Sequence, residues 1–89
     1  MQDIIDSAMM TTQEILDKLD PIFQEVFNDS DLAVDLDLTS DDIDDWSSLS
    51  QTLLLTEIES AFDIRFKLRE IATMNSVRNI VAIIESKLQ

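Results

Sequence analysis

Two neighbouring serines, Ser47 and Ser48, are the residues of this 89-residue chain whose type and position could carry chemistry. They follow an acidic, irregular stretch and precede an apolar segment with helical spacing, so a serine hydroxyl is expected at a helix N-terminus. Unpaired backbone N–H groups and the positive end of the helix dipole favour a negative charge there. The hydroxyl can cap the helix or be the attachment point of a phosphate, and the position alone leaves both roles open.

The residue types that the chain lacks exclude most catalytic and metal sites. It contains no cysteine, histidine or glycine. It therefore has no disulfide framework, no ordinary zinc site, no Ser-His-Asp or Cys-His nucleophile and no glycine-rich phosphate-binding loop. A chain this short also has little room for a pocket that shifts carboxylate pKa values. We expect no catalytic residue, no bound metal and no enzyme activity.

The negative charge is confined to the first half of the chain. Residues 1–45 contain 14 of the 19 acidic residues and one base, so the whole net charge of −13 precedes Trp46. Such a field repels nucleic acid and anionic membrane and attracts basic partner surfaces, although acidity can also serve solubility alone. With no basic signal region and no apolar run of membrane-spanning length, we expect a cytoplasmic monomer without membrane insertion.

Helical spacing of apolar residues predicts a first helix over residues 12–27. Thr11 and Glu14 have the spacing of a capping box at its start, and Asn28 can end it in a left-handed conformation. Pro21 lies within the helix, where it removes one backbone hydrogen bond. Because the apolar phase continues through the proline, we predict one kinked helix; two helices that meet at Pro21 are the alternative.

Residues 28–47 are predicted to form a long loop packed on the helices. Alternating apolar residues could indicate a strand, but no partner strand is evident. A loop of this length is expected only where it is functional. Asp35 and Asp37 have the spacing of a calcium-binding loop, yet the glycine and closing glutamate of an EF-hand are absent. A cation-buffering role is therefore a distant alternative.

The segment from Ser48 to Phe62 predicts a second helix with two different faces. The core face comprises Gln51, Leu54, Leu55, Ile58, Ala61 and Phe62. The outward face comprises Leu49, Thr52, Leu53, Thr56 and Ser60, flanked by Glu57 and Glu59. Two outward leucines one turn apart beside Ser48 predict a docking surface for partner proteins, formed by Leu49, Leu53, Thr56, Glu57 and Glu59.

Two shorter segments complete the chain. Residues 63–68 alternate like a strand, but we interpret them as an extended connector that directs Ile64, Phe66 and Leu68 inward. A short helical turn is predicted over residues 69–73. Ser76 is then expected to cap a last helix, whose apolar stripe is Val77, Ile80, Val81, Ile84 and Leu88.

The sequence from Thr11 to Leu88 resembles the acyl carrier protein family. In that family a long first helix leads through an extended loop to an Asp-Ser-Leu motif that opens helix II, and a short helix III and a final helix IV follow. Ser48-Leu49 is similar to that motif, Ile58-Glu59-Ser60-Ala61-Phe62 to the end of helix II, and Asn75-Ser76-Val77 to the start of helix IV. The resemblance implies an all-α, four-helix carrier domain over residues 11–89, preceded by a loose N-terminal segment, residues 1–10.

The resemblance also implies a 4′-phosphopantetheine arm, esterified to Ser48 by a phosphopantetheinyl transferase that uses coenzyme A. The thiol of the arm would carry an acyl group as a thioester to partner enzymes of fatty acid, polyketide or specialised lipid synthesis. An aminoacyl carrier of the D-alanyl or peptidyl type is the alternative. Acyl- or aminoacyl-loading enzymes and synthases are the implied partners.

Departures from the family pattern affect the site and its partners. Ser47 replaces the usual aspartate before the modified serine; it can still cap the helix, so we expect slower modification and an unchanged fold. Because Ser47 replaces the aspartate, an acidic adaptor protein that does not carry the arm stays an alternative function. Modification of Ser47 itself, in place of Ser48, is a minor alternative. Ser50, Leu53 and Ser60 replace acidic residues of helix II, which predicts docking more through apolar contact.

A last expectation concerns the cargo. We predict an acyl cleft between helix II and the short third helix, although each lining residue can equally be ordinary core. Its lining is Leu54, Ile58, Phe66, Leu68 and Ile71. A higher melting temperature on loading a long acyl chain would indicate sequestered cargo, and no change would indicate exposed cargo.

Overall fold

The computed structural model describes residues 10–88, and within them the chain forms four α-helices joined by loops. The helices are α1 (Thr12–Val26), α2 (Ser48–Phe62), the short α3 (Leu68–Ile71) and α4 (Val77–Leu88), with a 3₁₀ turn at Ser40–Asp42. The predicted all-α architecture is confirmed. The predicted loose segment, residues 1–10, lies outside the described residues except for Met10. None of the helices in this part of the chain has the length and apolar character needed to cross a bilayer.

Helix α1 begins and ends as its sequence predicts. The Glu14 N–H donates to Thr11 Oγ1 at 3.1 Å, and the Thr11 N–H donates to Glu14 Oε1 at 2.8 Å, which completes the capping box. Pro21 lies inside a continuous helix, so it does not split α1 in two. Asn28 follows the helix with a left-handed φ of 53°, as expected for this residue type.

The core forms where the apolar stripes of α1, α2 and α4 meet. Burial of each such aliphatic side chain contributes about 1.5–3 kcal/mol. Ala61, predicted on the core face of α2, is exposed instead because it lies at the edge of that stripe. The side chains with no exposed surface include Ile15, Leu19, Phe23, Leu54, Ile58, Val77, Ile80 and Ile84.

The acidic loop between α1 and α2 packs against the helices, as predicted. Val34 is buried, and its N–H donates to Asp20 Oδ1 of α1 at 2.8 Å. The Gln24 side chain donates to the Leu32 carbonyl at 2.9 Å. Four further apolar residues of the loop are partly buried against the core: Leu32, Leu36, Leu38 and Ile43. These contacts hold the loop along α1 and bring its end to the start of α2.

Candidate functional site

Ser47 is the N-cap of α2. Its hydroxyl accepts the Ser50 N–H at 3.4 Å, and the Ser50 hydroxyl in turn accepts the Ser47 N–H at 2.7 Å. Ser50 therefore takes the place that glutamate or glutamine has in a capping box. The Ser50 hydroxyl also contacts the Asp45 carbonyl at 2.5 Å. The prediction that Ser47 caps this helix is confirmed, because its hydroxyl accepts a backbone hydrogen bond from the first turn.

Ser48, the first residue of α2, presents its side chain to solvent. In the described part of the chain, hydrogen bonds at Ser48 involve its backbone, whose carbonyl accepts the Thr52 hydroxyl at 3.0 Å. The Ser48 hydroxyl is accessible to another protein, whereas the Ser47 hydroxyl is used for capping. An exposed hydroxyl at the start of a 15-residue helix fits a phosphodiester, because the helix dipole favours an anion at that end.

An open groove of about 540 Å³ lies beside Ser48, between the 3₁₀ turn, the start of α2 and the end of α3. Most of its lining side chains carry a hydroxyl or an amide. The lining residues are Ser40, Trp46, Ser47, Ser48, Gln51, Thr52, Ile71 and Ala72. Among the residues predicted to line an acyl cleft, Ile71 is the one that lies in this groove.

The other predicted cleft residues are placed differently. Leu54 and Ile58 have no exposed surface and belong to the core, and Phe66 is partly buried against it. The prediction that Leu68 points inward is wrong, because its side chain is 83% exposed. The extended alternation ends at Lys67, and Leu68 starts the single helical turn of α3 with its side chain towards solvent.

Trp46 connects the site to the core, a role that was not predicted from the sequence. The indole is 9% exposed. It packs edge-on against Phe23, with ring centroids 5.7 Å apart, and in a tilted arrangement against Phe27, with centroids 5.8 Å apart. Its N–H donates to Gln51 Oε1 at 3.0 Å, and Gln51 Nε2 donates to the Ile71 carbonyl at 3.1 Å. The signal in the sequence was a lone aromatic residue at the end of an acidic loop.

The outward face of α2 exposes the two predicted leucines, Leu49 by 72% and Leu53 by 52%. Thr56 and Glu57 are exposed beside them. Glu59 is half-buried, and its carboxylate accepts the Phe66 N–H at 2.8 Å. Four of the five predicted docking residues therefore lie on an accessible face, whereas Glu59 holds the connector that follows α2.

Glu70 of α3 pairs with Lys87 of α4 and so joins these two helices. The Lys67 backbone N–H donates to its carboxylate at 2.7 Å, and the Lys87 ammonium lies 3.0 Å from the same oxygen. This backbone hydrogen bond, with the adjacent lysine charge, holds the pKa of Glu70 below its ordinary value. The Glu70–Lys87 ion pair thus links α3 to α4.

The chain was compared with protein-family models, with curated proteins and with solved structures. No protein-family model matches the sequence, and no curated protein matches it. The chain is similar to the solution structure of the holo acyl carrier protein from Geobacter metallireducens, with 34% sequence identity and a TM-score of 0.76. The alignment covers 82% of this chain and 84% of that one. The likeness thus extends to sequence as well as fold.

Proposed function

Because the chain belongs to the acyl carrier protein family, we propose that it holds acyl groups as thioesters on a 4′-phosphopantetheine arm attached to Ser48. It is a carrier that delivers these groups to partner enzymes and is not itself an enzyme. The observation that carries the proposal is an exposed serine hydroxyl at the N-terminus of α2, beside an open groove.

Attachment requires a phosphopantetheinyl transferase and coenzyme A. The Ser48 oxygen attacks the phosphorus of the pantetheine phosphate, a new P–O bond forms, and the bond from that phosphorus to 3′,5′-ADP breaks. The serine proton passes to a base of the transferase. Ser47 and Ser50 hold the first turn in place, and the start of α2 then stabilises the single negative charge of the phosphodiester. The arm supplies the thiol that carries the cargo.

Partner enzymes are proposed to dock on Leu49, Leu53, Thr56 and Glu57. These residues are exposed on one side of α2 and extend from the attachment site along the helix. A partner that covers them also reaches Ser48. The exposed leucines favour contact that is more apolar and less dependent on charge.

For the pathway, we propose fatty acid, polyketide or specialised lipid synthesis in the cytoplasm, in which this chain serves the partner enzymes as a monomeric carrier. D-alanyl or peptidyl-type aminoacyl cargo is the alternative, and the loading partner distinguishes them. An acyltransferase or ligase loads acids, whereas an adenylating enzyme loads amino acids. Ser47, in place of the aspartate usual in the family, favours a second candidate: an acidic adaptor that no longer takes the arm.

Intact-protein mass spectrometry tests the attachment. The protein is incubated with coenzyme A, magnesium and a promiscuous phosphopantetheinyl transferase. We expect the wild type and the matched control Ser47→Ala to gain one phosphopantetheine, and Ser48→Ala to gain none. A folded wild type that gains nothing would support the adaptor, and gain by Ser48→Ala but not by Ser47→Ala would move the site to Ser47.

A further inference from the structure

We propose that Gln51 determines cargo specificity by closing the passage between α2 and α3. The carrier then holds short or polar acyl groups in the open groove, and long aliphatic chains are kept out of the core. The inference rests on the proposed attachment at Ser48. It names the cargo class that this site accepts.

Gln51 occupies the position where the arm of Ser48 would bring an acyl chain to the core. It lies three, four and seven residues before Leu54, Leu55 and Ile58, on the same face of α2. Within this stripe it is the member nearest to Ser48. An acyl chain that the arm of Ser48 carries between α2 and α3 therefore passes Gln51 before it reaches the apolar side chains beyond.

The Gln51 side chain is bonded at both ends of its amide, an arrangement that we name the Gln51 bridge. Its oxygen accepts the Trp46 indole N–H at 3.0 Å, and its nitrogen donates to the Ile71 carbonyl at 3.1 Å. An indole only donates and a carbonyl only accepts, so the amide has one productive orientation. The bridge is partly buried and joins the loop before α2, α2 itself and α3. Separation of α2 from α3 at this end breaks the bond to Ile71.

The groove in front of the Gln51 bridge has walls of mixed polarity, in which hydroxyl and amide groups lie beside Trp46, Ile71 and Ala72, and the core side chains behind it have no exposed surface. Hydroxyls of Ser40, Ser47 and Thr52 line the groove together with the Gln51 amide. Leu54 and Ile58, one and two turns further along α2, are fully covered. A long aliphatic chain in the groove would displace water from these polar groups and could neither donate nor accept in its place, which is unfavourable. Short acyl chains and chains with polar groups avoid this penalty.

Melting temperatures of loaded proteins test the inference. A promiscuous transferase with acetyl-coenzyme A or octanoyl-coenzyme A attaches the acylated arm in one step, and intact mass confirms the loading. We expect the acetyl and octanoyl forms of the wild type to melt within about 2 °C of each other. Burial of even two methylenes would raise the melting temperature of a domain of this size by about 5 °C or more.

Gln51→Leu removes both hydrogen bonds at nearly constant volume and should open the passage. Its octanoyl form should melt at least about 5 °C above its own acetyl form. Gln51→Met serves the same purpose if the leucine variant does not fold. Gln24→Leu is the matched control, because Gln24 also donates to a backbone carbonyl from a half-buried position, on α1 and outside the groove. It should show no dependence on chain length.

Two results would overturn the inference while leaving the carrier function intact. One is a wild type whose octanoyl form already melts about 5 °C or more above its acetyl form. The other is a Gln51 variant, loaded and folded, that depends on chain length no more than Gln24→Leu does. A protein that takes the arm from neither donor contradicts attachment at Ser48, and with it this inference.

Discussion

Leu49 and Leu53 place apolar surface on the outward side of α2, and we predict that alanine at either position weakens partner binding more than removal of the neighbouring charge at Glu57. The partner to use first is the phosphopantetheinyl transferase, since it must reach Ser48 directly. All three side chains are exposed, so the substitutions should change the free energy of unfolding by no more than about 0.5 kcal/mol.

The magnitudes follow from the exposed fractions. Full burial of a leucine side chain contributes about 1.5–3 kcal/mol. With 72% of Leu49 and 52% of Leu53 exposed, coverage by a partner would contribute about 1–2 and about 0.8–1.5 kcal/mol, respectively. Loss of these terms raises Kd about 5- to 30-fold for Leu49→Ala and about 4- to 12-fold for Leu53→Ala. Glu57→Gln would remove at most one exposed charge pair with the partner, which contributes about 0.2–1 kcal/mol and so changes Kd at most about fivefold.

The assay is kcat/KM for attachment of the arm, measured for each variant at low and at physiological salt. Leu53→Ala is the more informative leucine variant, because Leu53 lies one turn further from the reacting hydroxyl than Leu49. Two outcomes would refute the reasoning: a larger loss for Glu57→Gln than for Leu53→Ala, or a wild-type kcat/KM that falls by orders of magnitude between the two salt concentrations.

Three further predictions concern the elements that hold the site. Trp46→Ala should lower the free energy of unfolding by about 3–5 kcal/mol in a denaturant titration, and Trp46→Phe, which retains an aromatic ring against Phe23, should lose less than half of that. Ser47→Ala should lower it by about 0.5–2 kcal/mol through loss of the cap, whereas Ser47→Asp should restore the family residue and raise kcat/KM for attachment at nearly unchanged stability. The Lys67 N–H, together with Lys87, lowers the pKa of Glu70 in the folded protein. The stability from these two contacts is therefore present above the ordinary pKa of 4.5 and is lost as the pH falls through the lower folded value. The melting temperature of Glu70→Gln should fall less than that of the wild type on acidification below about pH 4.5.

The main elements of the fold were predictable because their signals are local. The capping box at Thr11, the left-handed residue at Asn28 and the cap at Ser47 each depend on neighbours within three or four residues. Helical periodicity predicted the stripes of α1, α2 and α4, since these stripes face a single core. It also predicted that α1 continues through Pro21, because the apolar phase is unbroken there.

The parts that the sequence did not reveal depend on contacts between distant segments. Trp46 packs against Phe23 and Phe27 of the first helix region, and nothing near Trp46 in the chain indicates those partners. Gln51 has the periodicity of a core residue, but its role as a bridge to Ile71 requires the position of α3. The inward orientation predicted for the Leu68 side chain was wrong, because alternation predicts an inward side chain only while the backbone stays extended.

Attachment of the arm to Ser48 is the central claim, and fragmentation of the modified peptide tests it most directly. Wild-type protein is loaded with the arm and cleaved after acidic residues, which releases the segment that contains both serines. Fragmentation by electron transfer between Ser47 and Ser48 then locates the added mass. We predict that the added mass of the arm lies on Ser48 and not on Ser47. Mass on Ser47, or folded protein that takes no arm, would contradict it.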